Sequence, residues 1–318
     1  MFDSHKINKE QFIYLQNQIK LENRKYKNIL SDKNYKLVQI ISNFFKAFTS
    51  LSSLKEFYKF LKYKICWNYL CIKYPIIKES FEKSNIQPNY FSDDKFIVYT
   101  SIFGNYDIPQ DPLFVPDNCE FYIITDQNIP TNSIWKKTLV NYSSYPNFDS
   151  LSNIYKNRFC KMFPHKLFPN IKYSIYIDGN IKPMTDFTEF INMNSPHGLL
   201  FHKHKARKCV YDEIAACKIL GKGNISKIEK YGKHLKNIMF PNNYGMLECN
   251  MIVREHSNLI MQKVMEEWWN EFLSSNTNRD QLSLPYVLWK LDIKLEEINK
   301  LGNNIAKNDA LRIMEHIG

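Results

Sequence analysis

Between residues 95 and 177 the chain contains three short apolar segments of β-type composition, and each of them stops at a polar turn. Segments rich in Val, Ile, Tyr, Phe and Thr that end at Gly, Asn or Asp are typical of strands. A fourth such segment lies near residue 250, and stretches with helical periodicity lie between and after them. The strand segments are 95–103, 120–125, 173–177 and 250–254, and the helical stretches are 151–168, 257–273 and 279–291. Strands that alternate with helices predict an α/β domain whose largely parallel sheet is flanked by helices.

Polar residues follow the first three predicted strands. Each of the three strands delivers a carboxylate in its polar group. The groups are Gly104-Asn105-Tyr106-Asp107, Thr125-Asp126 and Asp178-Gly179-Asn180. Ligands of open α/β sheets bind outside the carboxyl ends of the strands, so this arrangement predicts a ligand site at one edge of the sheet. Asp, Asn and Gly are also the ordinary residues of tight turns, and the pattern by itself leaves that interpretation open.

The sharpest local feature is Asp178-Gly179-Asn180, directly after the third strand. It places two side-chain oxygen donors at a rigid strand end, where a hard divalent ion bridging a diphosphate would bind. Gly179 would let the backbone approach the ligand closely, although a hairpin turn can have the same composition. Arg158 and Lys161 lie three residues apart on one face of the preceding predicted helix, where they can hold diphosphate charge or form a solvated basic face.

The first third of the chain is more basic than the rest. Residues 1–94 contain 16 Lys and Arg against 9 Asp and Glu, whereas residues 95–318 contain 27 against 23. Apolar residues recur there at helical spacing without Gly or Pro between them, and the opposite face is rich in Lys. They are Leu37, Ile41, Phe44, Phe48, Leu51, Leu54, Tyr58, Leu61 and Ile65. We predict helices within 1–80 and a linker at 82–94, and divide the chain into a basic helical region with its linker (1–94), an α/β domain (95–292) and a C-terminal tail (293–318).

The composition of the 318-residue chain excludes several classes of protein. Aromatic residues make up 15% and apolar residues 44%, which is far from the composition of a disordered chain. No stretch approaches the roughly 18 apolar residues of a spanning helix, and no apolar segment typical of a signal peptide follows the first charges. The seven cysteines form no Cys-x-x-Cys pair. We therefore expect a cytoplasmic protein with free thiols that are buried or semi-buried.

An ordered series of motifs spans residues 95–291. The motifs are Tyr99-Thr100-Ser101-Ile102-Phe103-Gly104-Asn105-Tyr106-Asp107, Phe121-Tyr122-Ile123-Ile124-Thr125-Asp126, Tyr155-Lys156, Lys161-Met162-Phe163-Pro164-His165, Ile175-Tyr176-Ile177-Asp178-Gly179-Asn180, His204-Lys205-Ala206-Arg207, Tyr211-Asp212-Glu213 and Arg279-Asp280-Gln281-Leu282-Ser283. This series resembles a glycosyltransferase-like family whose plant members include mucilage- and turgor-related Golgi proteins and whose bacterial members occur among capsule and surface-polysaccharide proteins. The same stretch is similar to retaining GT-A glycosyltransferases of the galactinol-synthase and glycogenin type.

The resemblance implies a fold and an activity. The fold is a GT-A-like, Rossmann-type mixed sheet flanked by helices, with an N-terminal helical extension. The activity is the transfer of a sugar, such as a hexose, from a nucleotide-sugar donor to a glycan or lipid-linked acceptor, in capsule or surface-polysaccharide synthesis.

The resemblance also implies roles for individual residues. Asp178 and Asn180 stand where the relatives have a metal-binding Asp-x-Asp pair, and so would bind Mn²⁺ or Mg²⁺ with one negative charge fewer. The relatives supply a late His ligand, for which His256 and His316 are both candidates. Asp280 would lie beside the transferred sugar with Gln281 supporting it. The residues implied to bind the donor nucleotide and diphosphate are Thr100, Phe103, Gly104, Tyr106, Asp126, Arg158 and Lys161, and those on the sugar or acceptor side are His204, Arg207 and Glu213.

Each of these residues also has an ordinary structural interpretation. Asp280 and Glu213 are the carboxylates that a helix start favours, and His204 could sit in a solvated loop. Trp268-Trp269 is predicted to be core rather than a sugar-binding platform.

Other functions remain open at this stage. A plant member of the family is linked to ceramide hydrolysis, which suggests a hydrolase acting on a lipid amide or a glycan, although the chain lacks the Gly-x-Ser-x-Gly and His-Glu-x-x-His motifs. The net charge of +11 suggests nucleic-acid binding, but the excess charge is concentrated in the N-terminal region and no nucleic-acid-binding motif is present, so we expect no nucleic-acid partner.

For residues 1–80 we predict docking to an anionic membrane surface, as a peripheral protein on its inner face, or to a polysaccharide-assembly partner. The alternative is a helical subdomain that packs on the catalytic domain and has a solvated basic face.

Overall fold

The structure is a computed structural model that describes residues 9–32, 35, 36, 40, 42, 51–74, 94–138, 145, 147–193 and 195–316, with side chains of the second helix from residue 58 onward. The predicted helical stretch with Leu37, Ile41, Phe44 and Phe48 lies outside these residues. The predicted linker also lies outside them, except for Asp94.

Eight strands form two sheets in the described part of the chain. They are β1 (Phe96–Ile102), β2 (Cys119–Thr125), β3 (Lys136–Thr138), β4 (Tyr173–Ile177), β5 (Ile181–Pro183), β6 (Leu199–Lys203), β7 (Leu247–Glu255) and β8 (Leu311–Ile313). The main sheet has the order β3-β2-β1-β4-β7-β6, and β5 pairs with β8 in a small second sheet. Strands β1 to β4 are parallel, whereas β7 runs antiparallel to both β4 and β6. The main sheet is therefore largely parallel, as the sequence pattern predicts, and it is mixed because β7 is reversed.

The described part of the chain also contains helices, some of which cover the two faces of this sheet. The helices are α1 (Lys9–Ser31), α2 (Leu51–Lys73), α3 (Asn153–Met162), α4 (Pro164–Leu167), α5 (Thr188–Ile191), α6 (Val210–Leu220), α7 (Ile225–Asn237), α8 (Leu259–Ser275), α9 (Asp280–Lys290) and α10 (Leu295–Ile298). The predicted helix over 151–168 is divided at Pro164, which begins α4 because proline suits the first position of a helix. The predicted α/β class, with a mixed sheet, flanking helices and a helical N-terminal extension, is confirmed.

Two apolar layers enclose the main sheet. One layer consists of α3, α8 and α9 against β1, β4 and β7, and Trp268 and Trp269 lie inside it with 0% and 5% of their surface exposed. The tryptophan pair is therefore core, as predicted. The other layer consists of α5 and the chain from residue 301 onward against the opposite face. All seven cysteines are free thiols, as predicted.

Helix α1 packs on the α/β domain along the small sheet. Phe12 contacts Phe114, with ring centroids 5.1 Å apart, and Lys20 forms an ion pair with Glu189 at 2.8 Å. Asn23 is 1% exposed and donates to the backbone oxygen of Leu311 at 3.0 Å. Part of the basic face of α1 thus binds the domain instead of solvent.

Helix α2 packs on another part of the domain, against α6. Leu70 is 2% exposed, and the Lys205 ammonium group lies 5.3 Å from the centroid of the Trp67 ring. Within the described residues, no helix combines the length and the apolar character needed to cross a bilayer.

The segment 293–318, expected to be a tail, contains packed structure as far as residue 316. Leu295 and Ile298 of α10 are buried in the core, and Leu311 of β8 pairs with Pro183. Apolar residues at 295, 298, 301, 305 and 311 fill space beside the sheet, so the folded domain continues past residue 292.

Candidate active site

The carboxyl ends of β1, β2 and β4 lie at one edge of the sheet because these strands are parallel neighbours. The loop after β1 bends sharply at Gly104, with φ of +70°, and Asn105, with φ of +56°. The amide of Gly104 donates to both carboxylate oxygens of Asp126, at 3.1 and 3.0 Å. The left-handed φ of Gly104 favours glycine, and a Cβ there would also have to displace the side-chain amide of Asn153. The first two strand ends are thereby held together.

A buried ionic cluster lies beside this edge. Arg158 and Lys161 of α3 both contact Asp280, the first residue of α9, with Arg158 Nε at 2.9 Å and Lys161 Nζ at 2.8 Å. The side chains of Lys161 and Asp280 are each 3% exposed. Helix α3 supplies two cations from one face because the two residues are three positions apart, and the N-terminal position of Asp280 in α9 favours its negative charge.

The charge states in this cluster follow from its geometry. Burial alone would raise the pKa of the Asp280 carboxyl, but Arg158 and Lys161 outweigh burial and hold that pKa well below its usual range. Burial likewise opposes the charge on Arg158, and Asp280, Tyr176 and Asp178 raise its pKa. Arg158 and Asp280 are therefore charged at neutral pH, and the formal charges of Arg158, Lys161 and Asp280 sum to one net positive charge.

Asp178 lies at the exposed border of this cluster. Its side chain is 35% exposed, accepts a hydrogen bond from the Tyr176 hydroxyl at 3.0 Å and has the Lys161 ammonium group 3.9 Å away. Its backbone amide donates to the carbonyl of Asn250 at 2.9 Å, which connects β4 to β7. A Cβ on the following Gly179 would lie 2.6 Å from Ile102, so this turn packs closely against the end of β1.

Asn180 completes the turn. Its amide nitrogen donates to the Met314 carbonyl at 2.9 Å, and its backbone oxygen accepts from the Met314 amide at 2.8 Å. The amide oxygen of Asn180 is then the atom that can serve as a ligand, next to the partly exposed Asp178 carboxylate. Oxygen donors of this kind suit Mg²⁺ and Mn²⁺, so the two residues fit a divalent ion. The described residues contain no group of three or more His, Cys, Asp and Glu side chains that could hold a metal by themselves.

The two candidate histidines occupy different ends of the molecule. His316 lies at the candidate site, where its Nδ1 is 2.7 Å from Asp107 Oδ2 and its ring centroid is 5.2 Å from that of Tyr106. His256 follows β7, and its Nε2 lies 2.8 Å from Ser174 Oγ near the amino end of β4. Of the two, only His316 is near Asp178 and Asn180.

A second polar cluster surrounds Glu213 at the start of α6. Glu213 forms an ion pair with Arg207, and its carboxylate lies 3.7 Å from Arg279 and 3.7 Å from His204. Burial lowers the pKa of His204 to about 4, so this imidazole is neutral at pH 7. His204 is 6% exposed and thus is not in a solvated loop.

Glu248 joins the second cluster to α9. It lies 3.8 Å from His204 Nε2 and accepts a 3.4 Å hydrogen bond from the Gln281 amide, and burial raises its pKa. Gln281 also donates to the Leu247 carbonyl at 2.8 Å. Sequence reasoning missed Glu248 and Arg279 as polar neighbours of the predicted residues. Arg279 stands inside the motif Arg279-Asp280-Gln281-Leu282-Ser283, whereas nothing local marks Glu248.

The remaining predicted donor residues differ in exposure. Tyr106 is 56% exposed at the strand-end edge, and burial together with the Asp107 and Asp178 charges raises its pKa. Thr100 is buried inside β1, and Phe103 packs on Phe148 with ring centroids 6.1 Å apart. The structure therefore brings together Gly104, Tyr106, Asp126, Arg158, Lys161, Asp178, Asn180 and Asp280, and places Thr100 and Phe103 in the interior beneath them.

Two cavities lie at the opposite edge of the sheet. One, of about 310 Å³, is lined by Asp94, Tyr173 and Arg254, and the other, of about 420 Å³, by His165, Lys172 and His256. Both are next to the amino end of β4, far along the strand from Asp178. The candidate active site therefore lies at the carboxyl ends of the strands, where the ionic groups are, and not at these cavities.

An α/β sheet with carboxylates and buried cations at the carboxyl ends of its strands has its charged groups at the edge where open α/β sheets bind ligands. The chain belongs to the TOD1/MUCI70, glycosyltransferase-like domain family, whose model matches residues 26–316. The family resemblance stated from the motifs is thereby confirmed.

A curated relative agrees with this assignment. The "Probable hexosyltransferase MUCI70" of Arabidopsis thaliana is 26% identical in an alignment 199 residues long, which covers 57% of this chain and 32% of the relative. The chain spans about a third of the length of that protein.

Solved structures of glycosyltransferases show distant similarity to the chain. The apo structure of the bifunctional glycosyltransferase WbbM matches with a TM-score of 0.41 and 9% identity, over 65% of this chain and 38% of that one. The galactosyltransferase LgtC, in complex with donor and acceptor sugar analogues, matches with a TM-score of 0.36 and 9% identity, over 61% and 70%. Mouse xyloside xylosyltransferase 1 matches with a TM-score of 0.35 and 10% identity, over 65% and 84%.

Proposed function

We propose that this chain is a hexosyltransferase that moves a sugar from a nucleotide-sugar donor to a glycan or lipid-linked acceptor, in capsule or surface-polysaccharide synthesis. The observation that carries the proposal is the buried Arg158–Lys161–Asp280 cluster next to the partly exposed Asp178. A cluster with net positive charge at the carboxyl edge of an α/β sheet is suited to a diphosphate leaving group.

The donor nucleotide would lie along the ends of β1 and β2. The loop at Gly104 and Tyr106 and the carboxylate of Asp126 would hold the nucleoside, with Thr100 and Phe103 supporting the loop from beneath. Arg158 and Lys161 would face the diphosphate. Their geometry is preset by Asp280, so little reorganisation is needed when negative charge develops on the leaving group.

Asp178 and Asn180 would hold Mn²⁺ or Mg²⁺ on the diphosphate. When bound, such an ion supplies Lewis-acid stabilisation of the leaving diphosphate. The Asp178 carboxylate would balance the cations around it, and Met314 orients Asn180 through two hydrogen bonds. His316, which lies beside Asp107 and Tyr106, would be the candidate histidine ligand of this ion.

The transferred sugar would lie between the two polar clusters. Asp280 and Gln281 begin α9, and Gln281 reaches Leu247 and Glu248 next to His204. Asp280 and Gln281 would contact the sugar, and His204, Arg207 and Glu213 would line the sugar or acceptor side. The ion pair between Arg207 and Glu213 holds both side chains in place before a ligand arrives.

We propose that the enzyme is located in the cytoplasm, at the inner face of an anionic membrane, as a peripheral protein. Residues 1–80 would provide the membrane contact. This placement would bring the enzyme to lipid-linked acceptors.

Thermal shift with nucleotides tests the proposal directly. We expect UDP, GDP or CMP, one of them most strongly, to raise the melting temperature in the presence of Mn²⁺ and to lose most of this effect with EDTA. A ligand at about 100 times its Kd stabilises a protein by about 2.7 kcal/mol, which is readily measured. Donor hydrolysis with UDP-, GDP- and CMP-sugars then identifies the sugar. No stabilisation by any nucleotide, or stabilisation that Asp178→Ala leaves unchanged, would overturn the proposal.

A further inference from the structure

Helix α2 carries an apolar stripe on the face turned away from the domain. Residues 58, 62, 65, 69 and 72 follow one another at intervals of four and three, so they lie on one face of the helix. Four of them are apolar or aromatic and strongly exposed: Tyr58 is 68% exposed, Ile65 67%, Tyr69 51% and Ile72 81%. The fifth is the exposed Lys62. Isolated exposed apolar residues are ordinary, but a continuous stripe of them requires a partner.

The opposite face of α2 is already occupied. Leu70 is buried, Trp67 lies under the Lys205 ammonium group, and Tyr74 interacts with Asp212 at the start of α6. These contacts fix the rotation of the helix about its axis. Because Leu70, Trp67 and Tyr74 face the domain, the stripe on the opposite side of the helix faces away from it.

The charge beside the stripe is of one sign. Residues 57–74 contain four lysines and no aspartate or glutamate. Lys62 lies within the stripe, and Lys73 lies next to it on the helix surface, exposed to solvent. A second copy of this helix would bring lysines against lysines, whereas a surface of anionic lipid headgroups complements them.

We propose that the α2 stripe, defined as Tyr58, Lys62, Ile65, Tyr69 and Ile72, is a docking surface for an anionic lipid bilayer, with the helix lying in the interface plane. Tyrosine and isoleucine side chains would enter the headgroup and acyl boundary, and the lysines would bind anionic headgroups. This locates the proposed membrane contact on α2, since Lys20, Arg24 and Lys27 of α1 are bound to the domain.

The location of α2 has a consequence for the reaction, which rests on the proposed function. Lys205 contacts Trp67, and α2 packs against α6, which carries Glu213, so α2 adjoins residues assigned to the acceptor side. Docking through the stripe would hold that side of the site close to the bilayer, where a lipid-linked acceptor presents its sugar.

Co-sedimentation of the full chain with vesicles tests the docking surface. We expect binding to phosphatidylcholine vesicles that contain phosphatidylglycerol, much weaker binding to phosphatidylcholine alone, and loss of binding between about 0.05 and 0.5 M salt as screening increases. Ile65→Glu with Ile72→Glu should weaken binding at least about tenfold, because it removes apolar insertion and adds negative charge. The matched control is Met239→Glu with Leu259→Glu, which changes two apolar residues that are 84% and 77% exposed elsewhere.

A charge pair completes the test. Lys62→Gln with Lys73→Gln should weaken binding about fivefold for each lysine removed, whereas Lys230→Gln with Lys233→Gln on α7 should not. Equal binding by stripe and control variants, no binding by the full chain, or a homodimer in sedimentation equilibrium that Ile65→Glu with Ile72→Glu dissociates would each overturn the proposal. Because vesicle binding is measured without donor, Asp178→Ala should bind vesicles like the wild type, which separates this proposal from the proposed function.

Discussion

At the scale of single residues, the cations Arg158 and Lys161 are shared between two carboxylates with different environments. Asp280 is buried and contacts both, whereas Asp178 is a third exposed and lies at 3.9 Å from Lys161. The buried Asp280 fixes the positions of the two cations, whereas the partly exposed Asp178 is accessible to a ligand. The two carboxylates should therefore respond differently to mutation.

Asp178→Ala should abolish transfer and leave the fold intact. Under the proposed function, its removal would leave the diphosphate and its metal without their main protein carboxylate, and we expect a loss of about 100-fold or more in kcat/KM. The side chain is partly exposed and its main contact is Tyr176, so the melting temperature should change little. Asp111→Ala, at an exposed carboxylate, is the control. Wild-type turnover by purified Asp178→Ala contradicts the assignment.

Asn180→Asp should retain activity and tighten the dependence on metal. The substitution restores the second negative charge of the Asp-x-Asp pattern, but it loses the amide that donates to Met314. A titration of activity against Mn²⁺ should show a lower half-saturating concentration than for the wild type. A higher half-saturating concentration would show that the Met314 contact outweighs the added charge.

Asp280→Asn should reduce both activity and stability. It leaves two buried cations without their anion, which costs about 3–5 kcal/mol. The pKa of Asp280 is lowered in the folded state, so its ion pairs add stability above its ordinary value of 3.8 and lose it as the pH falls below that value. Urea denaturation should show a stability difference from the wild type that is full at pH 7 and shrinks below about pH 4. A difference independent of pH contradicts this ionic role.

At the scale of elements, α1 and β8 act as a unit although they lie at opposite ends of the chain. Asn23 donates to the Asp309 and Leu311 carbonyls at 2.8 and 3.0 Å and accepts from Arg312 Nε at 2.9 Å. The chain leaves β8 directly into Met314, which holds Asn180, and then into His316. Helix α1 therefore supports the candidate metal site without touching it.

Asn23→Ala should loosen this support. One buried and two partly buried polar groups lose their partner, so we expect a destabilisation of about 2 kcal/mol and faster hydrogen exchange in β8. Nucleotide affinity in Mn²⁺ should fall as well, because Asn180 and His316 lose their fixed positions. Asn28→Ala, at an exposed position of the same helix, is the control and should do neither. Unchanged β8 exchange in Asn23→Ala would show that the small sheet does not depend on α1.

At the scale of the whole molecule, the N-terminal helices are attached to two different parts of the domain. Helix α1 covers the small sheet with Phe12, Gln16 and Asn23 buried, and α2 packs on α6 beside Lys205. The basic N-terminal region is in part a packed subdomain, which was the alternative to a docking element. The two roles are compatible because they use different helices.

A chain that begins at Ser92 should be less stable than the full chain and prone to aggregate. It exposes the apolar and backbone groups that α1 covers, including the carbonyls of Asp309 and Leu311. We expect a melting temperature lower by about 5 °C or more, since 1 kcal/mol corresponds to about 2–4 °C in a domain of this size. A chain that begins at Lys9 and retains α1 should melt like the full chain. Equal melting temperatures for the two shortened chains would contradict the structural role of α1.

The sequence by itself determined the local elements and the family. Short apolar segments of β-type composition predicted the strands β1, β2, β4 and β7, because strand preference and burial depend on a few neighbouring residues. The polar residues that end those strands indicated the edge where Asp126 and Asp178 lie, and the motif series identified the family. The strands β3, β5 and β8 were not predicted. Each has three residues, which is too short for a periodic pattern of apolar residues to be recognised.

Only the tertiary structure decided which of these residues meet. The reversed direction of β7, the contact of Arg158 with Asp280 and the contact of Asn23 with Leu311 join positions more than 70 residues apart in sequence. Such pairs depend on how the whole chain closes around its core, because every long-range contact must offset the entropy of the loop that it closes. For the same reason the expected tail proved to be packed, and the two basic helices were distinguished only by what each one touches.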